Sequence, residues 1–293
     1  MQLNDYRLWT ALVTPFNEDL TVDYTSLAKL LKEQDEAGNG LLILGSTGEA
    51  LNIDLATKKA IVEFVQTQNL NVPLMIGVGG HQYQATHNWV KWLETQNVAA
   101  YLMVTPIYAK PGDMGQYHWF KGLMDEASRP VMLYNVPGRT GKELSYRAVS
   151  MLNSHRNFWA IKEASGSVLK FKEYLRVANG APVFCGDDGL MPDFALAGSH
   201  GLVSVASNTW PKETNLYVEK CVAEKFDAKE LWTKAANSLF IASNPIPAKR
   251  ILKNEGRIAH DTMMPPLCAE DLQSDALLTE SCTAVRDWYQ REK

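Results

Sequence analysis

Residues 24–45, YTSLAKLLKEQDEAGNGLLILG, hold one repeat of the fold. Tyr24 to Ala37 carries apolar residues at helical spacing, Gly38 offers the left-handed conformation that closes a helix, and Leu41-Leu42-Ile43-Leu44 is an apolar run of strand length. A strand apolar at every position suits a parallel sheet covered on both faces, because a half-exposed antiparallel strand would alternate.

Outward from this repeat, short apolar runs recur eight times: Trp9 to Phe16, Gly40 to Gly45, Pro73 to Gly79, Ala99 to Pro106, Val131 to Pro137, Phe158 to Ala164, Pro182 to Gly186 and Gly201 to Ser207. Polar, helix-periodic segments separate them, such as Asp54 to Gln68 with Asp54 as its N-cap. Eight βα units are the number that closes a parallel sheet into an α/β (β/α)8 TIM barrel, whereas a doubly wound sheet has no need of eight. The repeats end near Glu224. Beyond it, Leu, Ala and Trp spacing predicts further helices on the outside, broken at Pro245 and Pro247 and again at Pro265 and Pro266. The expected organisation is a barrel over residues 1–224 and a C-terminal helical region over 225–293 packed on it.

Composition narrows the function. The 293 residues carry a net charge of −4 from 29 basic and 33 acidic side chains, and neither sign forms a block, which argues against an electrostatic nucleic-acid or membrane-surface binder. No apolar run approaches the roughly 20 residues that span a bilayer, and Met1-Gln2-Leu3-Asn4-Asp5 lacks the basic and apolar regions of a signal peptide, so a cytoplasmic location is expected. Cys185, Cys221, Cys268 and Cys282 lie far apart without a CxxC pair and read as reduced thiols; the six histidines contain no HExxH. No metal site is expected.

Active sites of such barrels lie at the C-terminal ends of the strands, so polar residues closing apolar strands are the candidates. Lys162 ends Phe158-Trp159-Ala160-Ile161-Lys162 on the face shared with Ala160, where desolvation lowers an amine's pKa and suits it to Schiff-base chemistry. Tyr134 closes the fifth run, where a phenol can relay protons. Gly45-Ser46-Thr47-Gly48-Glu49 exposes backbone N–H groups and two hydroxyls to a carboxylate, without the lysine of a P-loop. Arg139, in Pro137-Gly138-Arg139-Thr140-Gly141, presents a guanidinium suited to a second carboxylate. Taken singly, each has an ordinary reading: an ion-paired strand-end lysine, a packed aromatic, a glycine turn, a surface arginine.

Together they match more. GSTGE at 45–49, TPIY at 105–108, YNVPGRTG at 134–141, IKEASG at 161–166 and GDD at 186–188 stand in matching order from about Trp9 through Asn244-Pro245-Ile246-Pro247. The chain resembles the dihydrodipicolinate synthase family, pyruvate-dependent Schiff-base aldolases of the N-acetylneuraminate lyase superfamily. The resemblance implies that Lys162 forms an imine with pyruvate and that Tyr134 shuttles protons in a hydroxyl relay with Ser46 and with Tyr108 of a neighbouring subunit. Ser46 stands where the family usually has threonine, which keeps the hydroxyl and gives up the β-branch that stiffens χ1. Thr47 would hold the pyruvate carboxylate, with Gly186 and Val203 as pyruvate-contacting walls; Val203 replaces a more frequent isoleucine. Arg139 would bind the carboxylate of L-aspartate 4-semialdehyde.

No metal or organic cofactor is implied, and Asp187-Asp188 read as supports of the seventh loop. A homodimer or dimer-of-dimers tetramer is implied by the donated Tyr108. Lysine-inhibited members carry a tyrosine before the relay tyrosine and a longer, histidine-containing stretch after the glycine turn. Here Ile107 and the short Ala50-Leu51-Asn52-Ile53-Asp54 stand instead, so lysine inhibition is expected to be weak or absent. A lyase acting on a sialic acid or a 2-keto-3-deoxy sugar acid would share Lys162 and Tyr134 and leave Arg139 without a task. A non-enzymatic pyruvate sensor would not need the relay.

Overall fold

The computed structural model describes residues 2–293. Its eight strands are β1 (Leu8–Ala11), β2 (Gly40–Ile43), β3 (Leu74–Val78), β4 (Ala100–Val104), β5 (Val131–Asn135), β6 (Phe158–Glu163), β7 (Val183–Cys185) and β8 (Leu202–Ser204), and they close in sequence order into one barrel. All neighbours are parallel, including the closing pair, in which Leu8 stands beside Leu202. This is a (β/α)8 TIM barrel, and each of the eight apolar runs supplies a strand.

The strands are shorter than the runs, for reasons visible in the hydrogen bonding. After Leu12, whose N–H still donates to the Leu42 carbonyl at 2.9 Å, the chain leaves the ladder: Val13 N–H donates to the Asn208 side chain at 2.9 Å, and Phe16 forms an antiparallel bridge with Val22. After Ser204 the chain winds into a short 3-10 turn at Ala206–Asn208. These buried apolar residues satisfy their backbone outside the sheet, a choice that hydrophobicity alone does not reveal.

The helices α1 (Tyr24–Ala37), α2 (Leu55–Gln66), α3 (Tyr83–Leu93), α4 (Asp113–Glu126), α5 (Pro137–Thr140), α6 (Tyr146–Leu152), α7 (Val168–Val177), α8 (Met191–Leu196) and α9 (Pro211–Val222) alternate with the strands. Asp23 caps α1 by accepting from Ser26 N–H, and Gly38 closes it with φ 72°, a conformation costly for any residue with a Cβ. Asp54 caps α2 through Thr57 N–H.

Three more helices follow, α10 (Lys229–Ser238), α11 (Ile246–Asn254) and α12 (Ala276–Glu292). Pro245 and Pro247 flank the start of α11, and Pro265 and Pro266 lie in the connection to α12. An aromatic cluster fastens this region to α9: Trp232 stacks on Tyr217 with ring centroids 4.3 Å apart, and Trp288 meets Trp232 edge-on at 5.3 Å. Arg257 adds hydrogen bonds of 2.7 Å to the carbonyls of Asn208 and Thr209 beyond β8. All four cysteines are free. No helix among the described residues is long and apolar enough to cross a membrane.

Candidate active site

The centre of the site is set by a slip between β5 and β6. Val131 stands beside Phe158, but the next residue, Met132, stands beside Ala160, so Trp159 is left out of the register as a bulge. The consequence is that Tyr134 stands beside Lys162. Had the pairing continued in step, Ile161 would occupy that place and Lys162 would lie on the opposite face.

With the slip, Lys162 and Tyr134 share one face at the C-terminal mouth, and the Lys162 Nζ lies 4.4 Å from the centre of the Tyr134 ring. Lys162 is only 5% exposed. Room for its stem comes from the residue just after β7, because a Cβ on Gly186 would lie 2.9 Å from Lys162 Cε and 2.7 Å from Ala164 Cβ. Burial pushes the Lys162 amine down to about 8, against the opposing pull of the Asp188 and Asp187 carboxylates and with help from Arg139. At pH 7 roughly one amine in ten is then neutral, against roughly one in three thousand for an ordinary lysine.

Burial acts oppositely on Tyr134, whose phenol is pushed up to about 12, while Arg139 and a hydrogen bond with Ser46 pull it back. A phenol that stays protonated at neutral pH donates a hydrogen bond or passes a proton without holding a charge.

Ser46 and Thr47 occupy the turn after β2. Thr47 is buried, and its hydroxyl accepts from the Asn244 side-chain amide at 2.9 Å. The backbone carbonyl of the same Asn244 accepts from the Arg139 guanidinium at 3.2 Å, so one residue of the C-terminal region joins the two groups assigned to carboxylates. Arg139 is otherwise exposed, on the short helix α5 beyond β5.

Val203 is fully buried in β8, beside Trp9 of β1. Asp188 is buried and accepts from Val205 and Ala206 N–H at 3.0 and 3.1 Å and from the Ser204 hydroxyl, tying the ends of β7 and β8 together. Asp187 accepts from Gly166 N–H at 3.0 Å, and burial raises its carboxyl to about 6.

The chain does not bring Tyr108 into this group. Its side chain is 90% exposed, on a backbone at φ 65°. The chain alone therefore assembles Lys162, Tyr134, Ser46, Thr47, Gly186 and Arg139 and leaves Tyr108 at the surface. A cavity of about 620 Å³ runs past Ser46, Tyr134 and Arg139 toward Lys58, His81 and Ile107. Among the described residues, no three His, Cys, Asp or Glu side chains are gathered so that they could hold a metal ion.

Sequence reasoning passed over Lys249 and gave Asn244 and Glu49 no role. Asn244 and Glu49 lay inside the quoted motifs, whereas Lys249 reads as an ordinary polar position of an outer helix.

An amine that can attack a carbonyl carbon while a neighbouring phenol moves the protons defines a Schiff-base lyase. The chain belongs to the dihydrodipicolinate synthetase family, whose profile matches residues 4–284. It is 45% identical over 285 residues to the 4-hydroxy-tetrahydrodipicolinate synthase of Francisella tularensis subsp. novicida, covering 97% of each chain. Among solved structures it is similar to the chloride-inhibited dihydrodipicolinate synthase of Acinetobacter baumannii complexed with pyruvate, with 31% identity, a TM-score of 0.87 and coverage of 96% of this chain and 99% of that one. It is also similar to a monomeric dihydrodipicolinate synthase variant, with 26% identity, a TM-score of 0.88 and coverage of 96% and 97%.

The lowered Lys162 amine predicts that the rate of imine formation with pyruvate rises as pH passes through about 8 and levels off above it, instead of climbing toward 10.5. Borohydride trapping as a function of pH checks this. Gly186→Ala is expected to suppress the trapped adduct at least tenfold while leaving the far-ultraviolet circular dichroism unchanged, because the new methyl takes the space of the lysine stem.

Proposed function

We propose that the chain condenses pyruvate with L-aspartate 4-semialdehyde through an imine at Lys162 and yields 4-hydroxy-tetrahydrodipicolinate, in the cytoplasm and on the route to diaminopimelate and lysine. The observation that carries this reading is the buried Lys162 amine against the Tyr134 ring, with Arg139 at the mouth. The neutral amine adds to the pyruvate ketone carbon, and loss of water gives the imine. The imine acts as an electron sink, so a methyl proton leaves and an enamine forms. Its carbon attacks the aldehyde of the second substrate. The amino group of that substrate then adds to the imine carbon and expels the Lys162 amine, which closes the ring and restores the enzyme.

In this reading Thr47 holds the pyruvate carboxylate and Arg139 that of the semialdehyde, with Asn244 spacing the two. Gly186 and Val203 form walls. Ser46 and Tyr134 pass protons, and the exposed Tyr108 completes the relay in a second copy of the chain within a homodimer or dimer of dimers. The barrel is taken to end at residue 224, with 225–293 as a region packed on it that supplies Asn244. No cofactor takes part.

Intact mass after borohydride treatment with pyruvate is expected to show a reduced adduct on the wild type and none on Lys162→Ala, and the wild type is expected to turn over aspartate semialdehyde. Arg139→Ala is expected to keep the adduct and to lose on the order of ten- to a hundredfold in kcat/KM for the semialdehyde, the scale of one charge-assisted contact. An adduct without semialdehyde turnover would move the assignment to a lyase of sialic or 2-keto-3-deoxy sugar acids. With Ile107 and the short 50–54 stretch in place, sub-millimolar lysine is expected to leave the coupled assay unchanged.

A further inference from the structure

The turn that carries Ser46 and Thr47 is held from below by a charge pair withdrawn from solvent. Glu49, three residues after Ser46, is ion-paired with Lys249 of α11, and both side chains are completely buried. The second carboxylate oxygen of Glu49 accepts from Met264 N–H at 2.8 Å. The Lys249 ammonium also donates to the Thr262 carbonyl at 2.9 Å and sits 4.4 Å from the centre of the Phe16 ring. Its three hydrogens therefore have a carboxylate, a carbonyl and an aromatic face before them.

Glu49 reaches this arrangement on a left-handed backbone, φ 56°, which is uncommon for a residue with a side chain. One residue earlier, the Gly48 carbonyl accepts from the Thr14 hydroxyl at 2.9 Å. Successive residues of the turn are thus fixed by different parts of the chain: Thr47 by Asn244, Gly48 by Thr14, Glu49 by Lys249 and the backbone at Met264.

Burying two charges costs several kcal/mol of desolvation per ion, which mutual attraction rarely returns with profit, so such a pair is a poor device for stability alone. Burial in fact pushes the Glu49 carboxyl up and the Lys249 amine down, each opposed by the other. Its return is in geometry. A carboxylate with both oxygens engaged by separate segments fixes the direction in which the turn leaves β2, and with it the place of Ser46 beside Tyr134 in the cavity.

We propose that Glu49 and Lys249 are positioning residues for the Schiff-base site, acting through Ser46 on Tyr134. This inference rests on the reading of Ser46 and Tyr134 as a proton relay, and its test separates the two. The test is a double-mutant cycle on kcat with Ser46→Ala, Lys249→Met and the two combined, alongside thermal melting of each. Ser46→Ala and Lys249→Met are each expected to lower kcat ten- to a hundredfold, the scale of a misplaced catalytic group, and the combination is expected to lose no more than the worse single variant. Losses that multiply, or a Lys249→Met enzyme with unchanged kcat, overturn the positioning role and leave the relay intact. Unchanged kcat in Ser46→Ala instead overturns the relay reading, and this inference with it.

Glu49→Gln, which removes the charge and keeps the shape, runs the same cycle should Lys249→Met fail to fold. Arg257→Met serves as the structural control. It loosens the same C-terminal region from the barrel at the carbonyls of Asn208 and Thr209, and it is expected to lower the melting temperature while keeping kcat within twofold.

Discussion

The architecture depends on keeping the Lys162 amine out of water beside a tyrosine that can serve it. A free lysine at neutral pH is almost wholly charged and a poor nucleophile. The barrel changes this by burying the side chain at its C-terminal mouth, and a closed parallel sheet is suited to that task because its strand ends converge there. The packing around it must still leave room for the lysine stem. Gly186 leaves that space.

The same requirement explains the division of labour along the chain. Strand β5 supplies the phenol, β6 the amine, and Gly186 just beyond β7 the space beside them. The hydroxyls come from the turn after β2, which has no ladder of its own to fix it, and the C-terminal region performs that function through Asn244 and Lys249. A region that reads as an outer appendage therefore reaches the turn after β2, while an aromatic cluster fastens it to α9.

Much of this was legible in the residues. The eight apolar runs predicted the closed barrel, because strands buried on both faces leave continuous hydrophobic stretches. Lys162 and Tyr134 stood out as polar ends of such stretches, and the family's motifs joined them to Ser46, Thr47 and Arg139. Three features were not legible. The bulge at Trp159 depends on how two strands settle against each other, and nothing in FWAIKE marks the residue that will be skipped. Lys249 follows the polar spacing of an amphipathic helix, and only the turn it meets, distant in sequence, explains its burial. The strands stop short of their apolar runs because side chains such as Asn208 take over the backbone partners.

The pairing of Glu49 with Lys249 spans 200 residues of sequence. At the usual 5–20 residues per second, the ribosome makes the second partner roughly ten to forty seconds after the first. The reactive lysine is synthesised well before the element that completes its surroundings. The nascent chain can therefore begin forming its barrel from the N-terminal side while the Ser46 turn still lacks its last restraint. The order of synthesis therefore places the Glu49–Lys249 restraint on the Ser46 turn among the last contacts the chain can make.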